Sequence, residues 1–176
     1  MSNYNKGIAA FENKEYSEAI DYFSDAIGYK DSDDWRNYSR GMIFFADAYE
    51  DYEEYGFSTD SINENIGEDF SNAASSFLRC GVLYPDFKDS EDYFYFSLGM
   101  YALSEKDYEE AIDCFEKTQG FLNSEEMLNE AIKQKEGKSV DSQINKIRNA
   151  DEGDIVEFGK YKWVVIKKNS QQVLLQ

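Results

Sequence analysis

The chain has 176 residues, 36 acids against 18 bases, a net charge of −18 and no histidine. That length suits one domain with a small appendage, and 41% hydrophobic with 16% aromatic residues is enough to fill a core, which separates it from a disordered acidic tail. Without histidine there is no Ser-His-Asp, Cys-His or His-metal chemistry, and neither GxxxxGK[ST] nor GxGxxG occurs to hold phosphates, so neither an enzyme nor a cofactor is expected.

The first element pair lies in residues 2–30. "YNKGIAAFE" carries small residues at Gly7 and Ala10, and "NKEYSEAIDYF" supplies a turn and a second helix with Ala19 and Phe23 on one face. The stretch "GYKDSDDW" at 28–35 then recurs as "DFKDSEDY" at 86–93 and more loosely as "GFLNSEEM" at 120–127. Each copy falls between the second helix of one unit and the first helix of the next. Asp31 or Ser32, Asp89 or Ser90, and Asn123 or Ser124 are expected to cap the free N–H groups of the helix that follows. The acids behind them oppose the positive end of the helix dipole.

Residues 31–88 form the expected middle unit. "GMIFFADAYEDYEEYGF" winds as an amphipathic helix, with Gly41, Ala48, Tyr49, Tyr52 and Tyr55 on the side of Phe45 and Asp47, Glu50, Asp51, Glu53 and Glu54 opposite. A polar loop, "GFSTDSINENIGED", is expected to follow, and then a second helix from about 69 to 83 with Ala73 and Phe77 as its landmarks. Positions 41–78 hold nine acids and no lysine or arginine. Asp60, Asn63, Asn65 and Asp69 brush against a calcium-loop pattern without its order, and no metal site is expected from them.

The third unit, 89–122, repeats the first. Shifted by 92 positions, residues 4–37 lie over 96–129 without a gap, with 12 of 34 pairs identical, among them Gly7/Gly99, Ala19/Ala111 and Phe23/Phe115. A period of 34 residues emerges, and the middle unit exceeds it by 24, of which 20 fall between Gly41 and Ala73. Residues 123–150 read as one or two capping helices broken near Gly137. The last stretch, 151–176, turns to strand periodicity in "DIVEFG", "KYKWVVIKK" and "QQVLLQ", which predicts a small antiparallel hairpin or three-stranded sheet. Cys80 and Cys114 stand outside any redox or zinc spacing and read as core residues.

These motifs resemble the tetratricopeptide repeat over residues 2–129: "NKEYSEAIDYF" and "GMYALSEKDYEEAIDCF" carry its small and aromatic positions. The resemblance implies a mainly α fold of three helix-turn-helix repeats in a short solenoid, with capping helices, over 1–150 and a β appendage over 151–176. The string "GDIVEFGKY…WVVI…VLL" is similar to the opening of an uncharacterised β-rich domain that follows such repeats in Gram-positive bacterial proteins.

The functional expectation follows from the charge. Residues 1–123 hold 27 acids and 9 bases, while 124–176 hold 9 of each, so the whole net charge sits on the helical repeats. Such a field repels nucleic acid and anionic lipid and attracts basic surfaces. The expected activity is a non-enzymatic protein-interaction module that binds a basic protein or peptide. Its expected contacts are Asp47, Tyr49, Glu50, Asp51, Tyr52, Glu53, Glu54, Asp60, Glu64, Glu68 and Asp69. The alternative is an acidic mimic of nucleic acid that blocks a nucleic-acid-binding protein, as phage-encoded inhibitors such as anti-CRISPR proteins do. No apolar run approaches the roughly 20 residues of a membrane span, "MSNYNKG" lacks the apolar stretch of a secretion signal, and the chain reads as cytoplasmic. The C-terminal strands are where a homodimer contact is expected.

Overall fold

Helix pairs are laid down in sequence order, each packed on the next. The computed structural model describes residues 2–57, 63–81, 87–168 and 173–175. Among them are seven helices: α1 (Asn3–Glu12), α2 (Tyr16–Asp25), α3 (Ser32–Tyr55), α4 (Asn63–Phe77), α5 (Ser90–Ser104), α6 (Tyr108–Lys117) and α7 (Ser124–Asn149). Strands β1 (Ile155–Phe158), β2 (Tyr161–Lys168) and β3 (Val173–Leu175) follow. The chain divides into two compact units, residues 1–131 and 132–176. The division falls inside α7, earlier than residue 150, where the sequence changes its period.

In the first unit α1 packs on α2, α2 on α3, and so on to α6, the nearest-neighbour order of a helical repeat. One relationship recurs in every pair. Gly7, Gly41 and Gly99 on the first helices lie against the rings of Phe23, Phe77 and Phe115 on the second, and a Cβ at any of the three would sit 2.6–2.8 Å from ring carbon. Those three rings are fully buried, as are Ala19, Ala73 and Ala111 one turn earlier. Each such ring contributes roughly 1.5–3 kcal/mol by leaving water. The turns of the outer pairs also match. Lys14 (φ 62°) and Lys106 (φ 61°) adopt the left-handed conformation, and Glu15 N–H and Asp107 N–H reach back to the carbonyls of Ala10 and Ala102 at 2.9 Å, closing α1 and α5 with the same turn.

The middle pair departs from that pattern, and not as its composition predicts. α3 runs nine residues further past its glycine than α1 does, α4 begins seven residues further ahead of its phenylalanine than α2 does, and the connection is four residues longer. The 20 extra residues are therefore mostly helix. The expected polar loop is corrected over 63–69 and the expected second helix over 69–83 is shifted: α4 starts at Asn63 and ends at Phe77, while residues 58–62 and 82–83 lie outside the described residues. Ala48, Ile66 and Phe70 are buried within this longer hairpin, and this apolar stripe is what makes helix out of "NENIGED".

The "KDS" segments also act differently from the caps expected of them. Lys30 (φ 51°), Lys88 (φ 51°) and Leu122 (φ 46°) share a left-handed turn that aims the next residue. Asp31 and Asp89 stand at the N-cap positions of α3 and α5 yet make no side-chain bond to the helix N–H groups. Their carboxylates accept phenol hydrogen bonds instead. Tyr4 donates to Asp31 at 2.6 Å, and Tyr38 donates to Asp89. Tyr4 and Tyr38 each sit three residues before their glycine; in the third pair that position is Phe96, which has no hydroxyl, and the acid has become Asn123. Ser32 and Ser124 donate backward, to the carbonyls of Ala26 (2.7 Å) and Phe121 (2.6 Å). The motif is a clasp that ties a turn to the first helix of the preceding pair. Its aromatic residue closes the same seam: Phe87 lies against Trp35 and Tyr38, and Phe121 against Tyr93 and Phe96.

In the second unit α7 continues through Gly137 without a break. A single glycine costs a helix only about 1 kcal/mol relative to alanine. The strands form an antiparallel sheet in the order β1-β2-β3. Ile155 pairs with Val164, Val156 with Trp163, Glu157 with Lys162 and Phe158 with Tyr161 around a turn at Gly159 (φ 61°).

Candidate functional site

All nine acids of positions 41–78 lie within residues 47–69, the lengthened part of the middle hairpin. The site is thus carried by an insertion that the outer repeats lack. Helical spacing sorts its side chains. Asp47, Glu50, Glu53 and Glu54 are exposed on α3, and Asp51 is half-buried. Glu68 is exposed and Asp69 half-buried on α4, and Glu64 stands in the first turn of that helix. Asp60 lies outside the described residues.

Tyr49 and Tyr52 face the other way. Both are half-buried and packed on the core. Tyr49 stacks on Phe45 and donates to Asn123 at 3.2 Å, while Tyr52 packs on Phe57 and donates to the Met127 sulfur at 3.3 Å. These two tyrosines attach the insertion to the start of α7, while the carboxylates of α3 form its outer surface.

The electrostatics of that surface are those of like charges held together. Burial pushes the Asp69 carboxyl above its usual range, and the neighbouring Asp47, Glu68 and Asp51 push the same way, partly offset by a bond to Asn72. Acids from α3 and α4 therefore share one surface. Among the described residues no lysine or arginine pairs with Asp47, Glu50, Asp51, Glu53, Glu54, Glu68 or Asp69, whereas Arg36 pairs with Asp33 and Lys162 with Glu157.

One acid missing from the expected contacts is buried outright. Asp34, in the first turn of α3, is 3% exposed; it accepts from the Gly81 N–H at 3.1 Å and leaves Oδ2 without a partner. Burial raises its pKa, and Asp31 and Asp33 add to the effect. The two thiols are free, and burial pushes Cys80 up to about 12 and Cys114 up to about 11, far from the thiolate a nucleophile needs. No helix among the described residues is long and apolar enough to cross a membrane.

A family model, the tetratricopeptide repeat, matches residues 2–33 and 93–118. No curated protein and no solved structure matches the chain. The matched segments cover the first helix pair and most of the third; the unmatched middle is the pair that carries the acidic insertion. The chain is a tetratricopeptide-like helical repeat protein.

Proposed function

We propose that the chain is a non-catalytic protein-interaction module whose acidic insertion, residues 47–69, receives a basic surface of a partner protein. Stacked helix pairs offer extended faces for protein contact. The observation that carries the reading is the coincidence of charge with insertion: nine acids and no base in the one stretch by which the middle repeat departs from its neighbours. Crowding carboxylates destabilises a fold through repulsion, and a cationic partner relieves it. Carboxylates on a helix also suit arginine, which they bind through paired hydrogen bonds.

The test is binding of a lysine- and arginine-rich peptide, followed by fluorescence anisotropy across a salt series. Asp47, Glu50, Glu53 and Glu54 changed together to lysine should abolish binding and leave the circular dichroism of the helices intact. Glu12, Glu18, Asp21 and Asp25, exposed acids of the first repeat, changed together to lysine serve as the control for net charge and should weaken binding far less. Equal losses in both variants would show a diffuse field and no site. The nucleic-acid-mimic reading is the narrower version, and it stands only if the chain displaces DNA or RNA from a protein that binds it.

A further inference from the structure

The outer face of α3 changes sign along its length. At about 100° per residue, Arg36, Asp47, Asp51 and Glu54 all fall within about 40° of Arg40, on the side away from the buried Trp35, Tyr38 and Phe45. Arg40, Asp47 and Glu54 are exposed, and Arg36 and Asp51 are half-buried. Helix α4 repeats the polarity. Arg79, just past its C-terminal end, lies beside Asn37, whose side-chain amide donates to the Arg79 carbonyl at 3.5 Å, and Asp69 stands near Asp47 and Asp51. Three of the chain's four arginines thus gather at the base of the middle hairpin, and its acids gather toward the tip.

Charge and spacing identify the occupant. Arg40 and Asp47 are equally distant from the point between Ile43 and Phe44, and so are Arg36 and Asp51. The offsets are about 5 Å and about 11 Å along a helix. A two-fold axis through that point runs a second α3 antiparallel to the first. It sets Arg40 opposite Asp47 of the other copy and Arg36 opposite its Asp51, each pair made twice, which is the self-complementarity a symmetric dimer requires. Arg36 already holds Asp33 at 3.2 Å, whereas Arg40 and Arg79 have no carboxylate partner among the described residues. A guanidinium takes a carboxylate through two parallel hydrogen bonds. Half-buried Ile43 and Phe44 meet their counterparts on the axis, giving an apolar centre with a charged rim.

Building on the reading of the insertion as an acceptor of basic surfaces, we propose that a second copy of the chain supplies such a surface. Two α3 helices pack antiparallel, with Arg40 of each copy on Asp47 of the other and Arg36 of each on Asp51. The contact lies within the helical repeats and makes no use of the C-terminal strands. Its pairing is local and its register is fixed, because a shift along α3 brings arginine against arginine and acid against acid.

Sedimentation equilibrium of the full chain over a concentration series tests this. The wild type should show a monomer–dimer equilibrium. Arg40→Glu and Asp47→Arg should each weaken it by about tenfold or more, because each sets like charges together twice per dimer, with the helical circular dichroism unchanged. Mixed in equal amounts, the two variants should regain wild-type affinity. Each then meets the opposite charge at both positions, and the mixed pair carries the same total charge as two wild-type copies. A wild-type chain that stays monomeric, self-association indifferent to Arg40→Glu, or a mixture that regains nothing would each overturn the proposal. Arg40→Glu keeps every acid of the insertion, so it should still capture the lysine- and arginine-rich peptide. A wild type that captures the peptide without dimerising refutes the second copy alone; one that dimerises and ignores the peptide supports the second copy and refutes the wider reading.

Discussion

The backbone of Gly41 lies against the ring of Phe77, so closely that a Cβ at position 41 would stand 2.6 Å from it. Small residue and ring are a single packing unit split between two helices. Gly41→Ala should therefore destabilise the fold by about 1–3 kcal/mol through overpacking, despite alanine's better helix propensity. Gly137, in α7, meets nothing within 4 Å, and Gly137→Ala should instead add up to about 1 kcal/mol. Urea unfolding of the two variants should move in opposite directions; a Gly41→Ala midpoint at or above wild type would refute the close contact.

The Tyr38–Asp89 clasp joins residues 51 positions apart. Removing the hydroxyl in Tyr38→Phe leaves a carboxylate without its donor and should cost about 1.5–3 kcal/mol, the range for hydrogen bonds to charged groups. Thermal or urea unfolding of this variant reads the loss directly.

Alkaline titration reports the same clasp in the first repeat. Burial and the Asp31 carboxylate push the Tyr4 phenol up to about 12. Between the ordinary tyrosine value of 10.0 and that figure the folded chain holds a proton that the unfolded chain has released, so stability falls as pH rises through the window. Tyr4→Phe should flatten part of that decline in urea midpoints measured from neutral to strongly alkaline pH. An unchanged slope would mean that Tyr4 ionises as an exposed phenol.

Asp34 works against stability in its ionised form. Its carboxyl pKa is raised by burial, so the folded state holds on to a proton longer than the unfolded chain, and stability declines as pH rises past the ordinary carboxylate range. Asp34→Asn keeps an acceptor for the Gly81 N–H and removes the buried charge. It should raise Tm at neutral pH by about 2–4 °C, equivalent to roughly 1 kcal/mol for a chain of this size, and the gain should shrink as the pH is lowered. A drop in Tm at neutral pH would show that the charge itself is needed.

The acidic insertion should make the fold salt-sensitive. Salt screens exposed like charges, so calorimetry should record a rising Tm between low and moderate ionic strength. The fourfold lysine variant at Asp47, Glu50, Glu53 and Glu54 should lose most of that rise; a Tm equally salt-dependent in the variant would locate the repulsion elsewhere in the acidic repeats.

Much of the architecture was legible because it is written locally. A glycine on one helix and a phenylalanine 16 residues later recur as Gly7/Phe23 and Gly99/Phe115, and the wider spacing of Gly41 and Phe77 measures the insertion by itself. Helical and strand periods likewise announced the three helix pairs and the C-terminal sheet, since a period depends only on near neighbours. How the insertion divides between helix and connection was another matter. "NENIGED" is polar enough to read as loop, and it becomes helix because Ile66 and Phe70 find a buried stripe beside α3.

The chain's own letters thus determined the repeat, its count and the place where charge accumulates. Tertiary structure alone decided what Asp31 and Asp89 bond to, that Tyr49 and Tyr52 reach Asn123 and Met127, and that Asp34 is buried. A carboxylate behind a turn satisfies a helix N–H or a distant phenol equally well as a matter of local chemistry. Which one it meets depends on how two helices many residues apart come to rest against each other, and no nearest-neighbour rule contains that information.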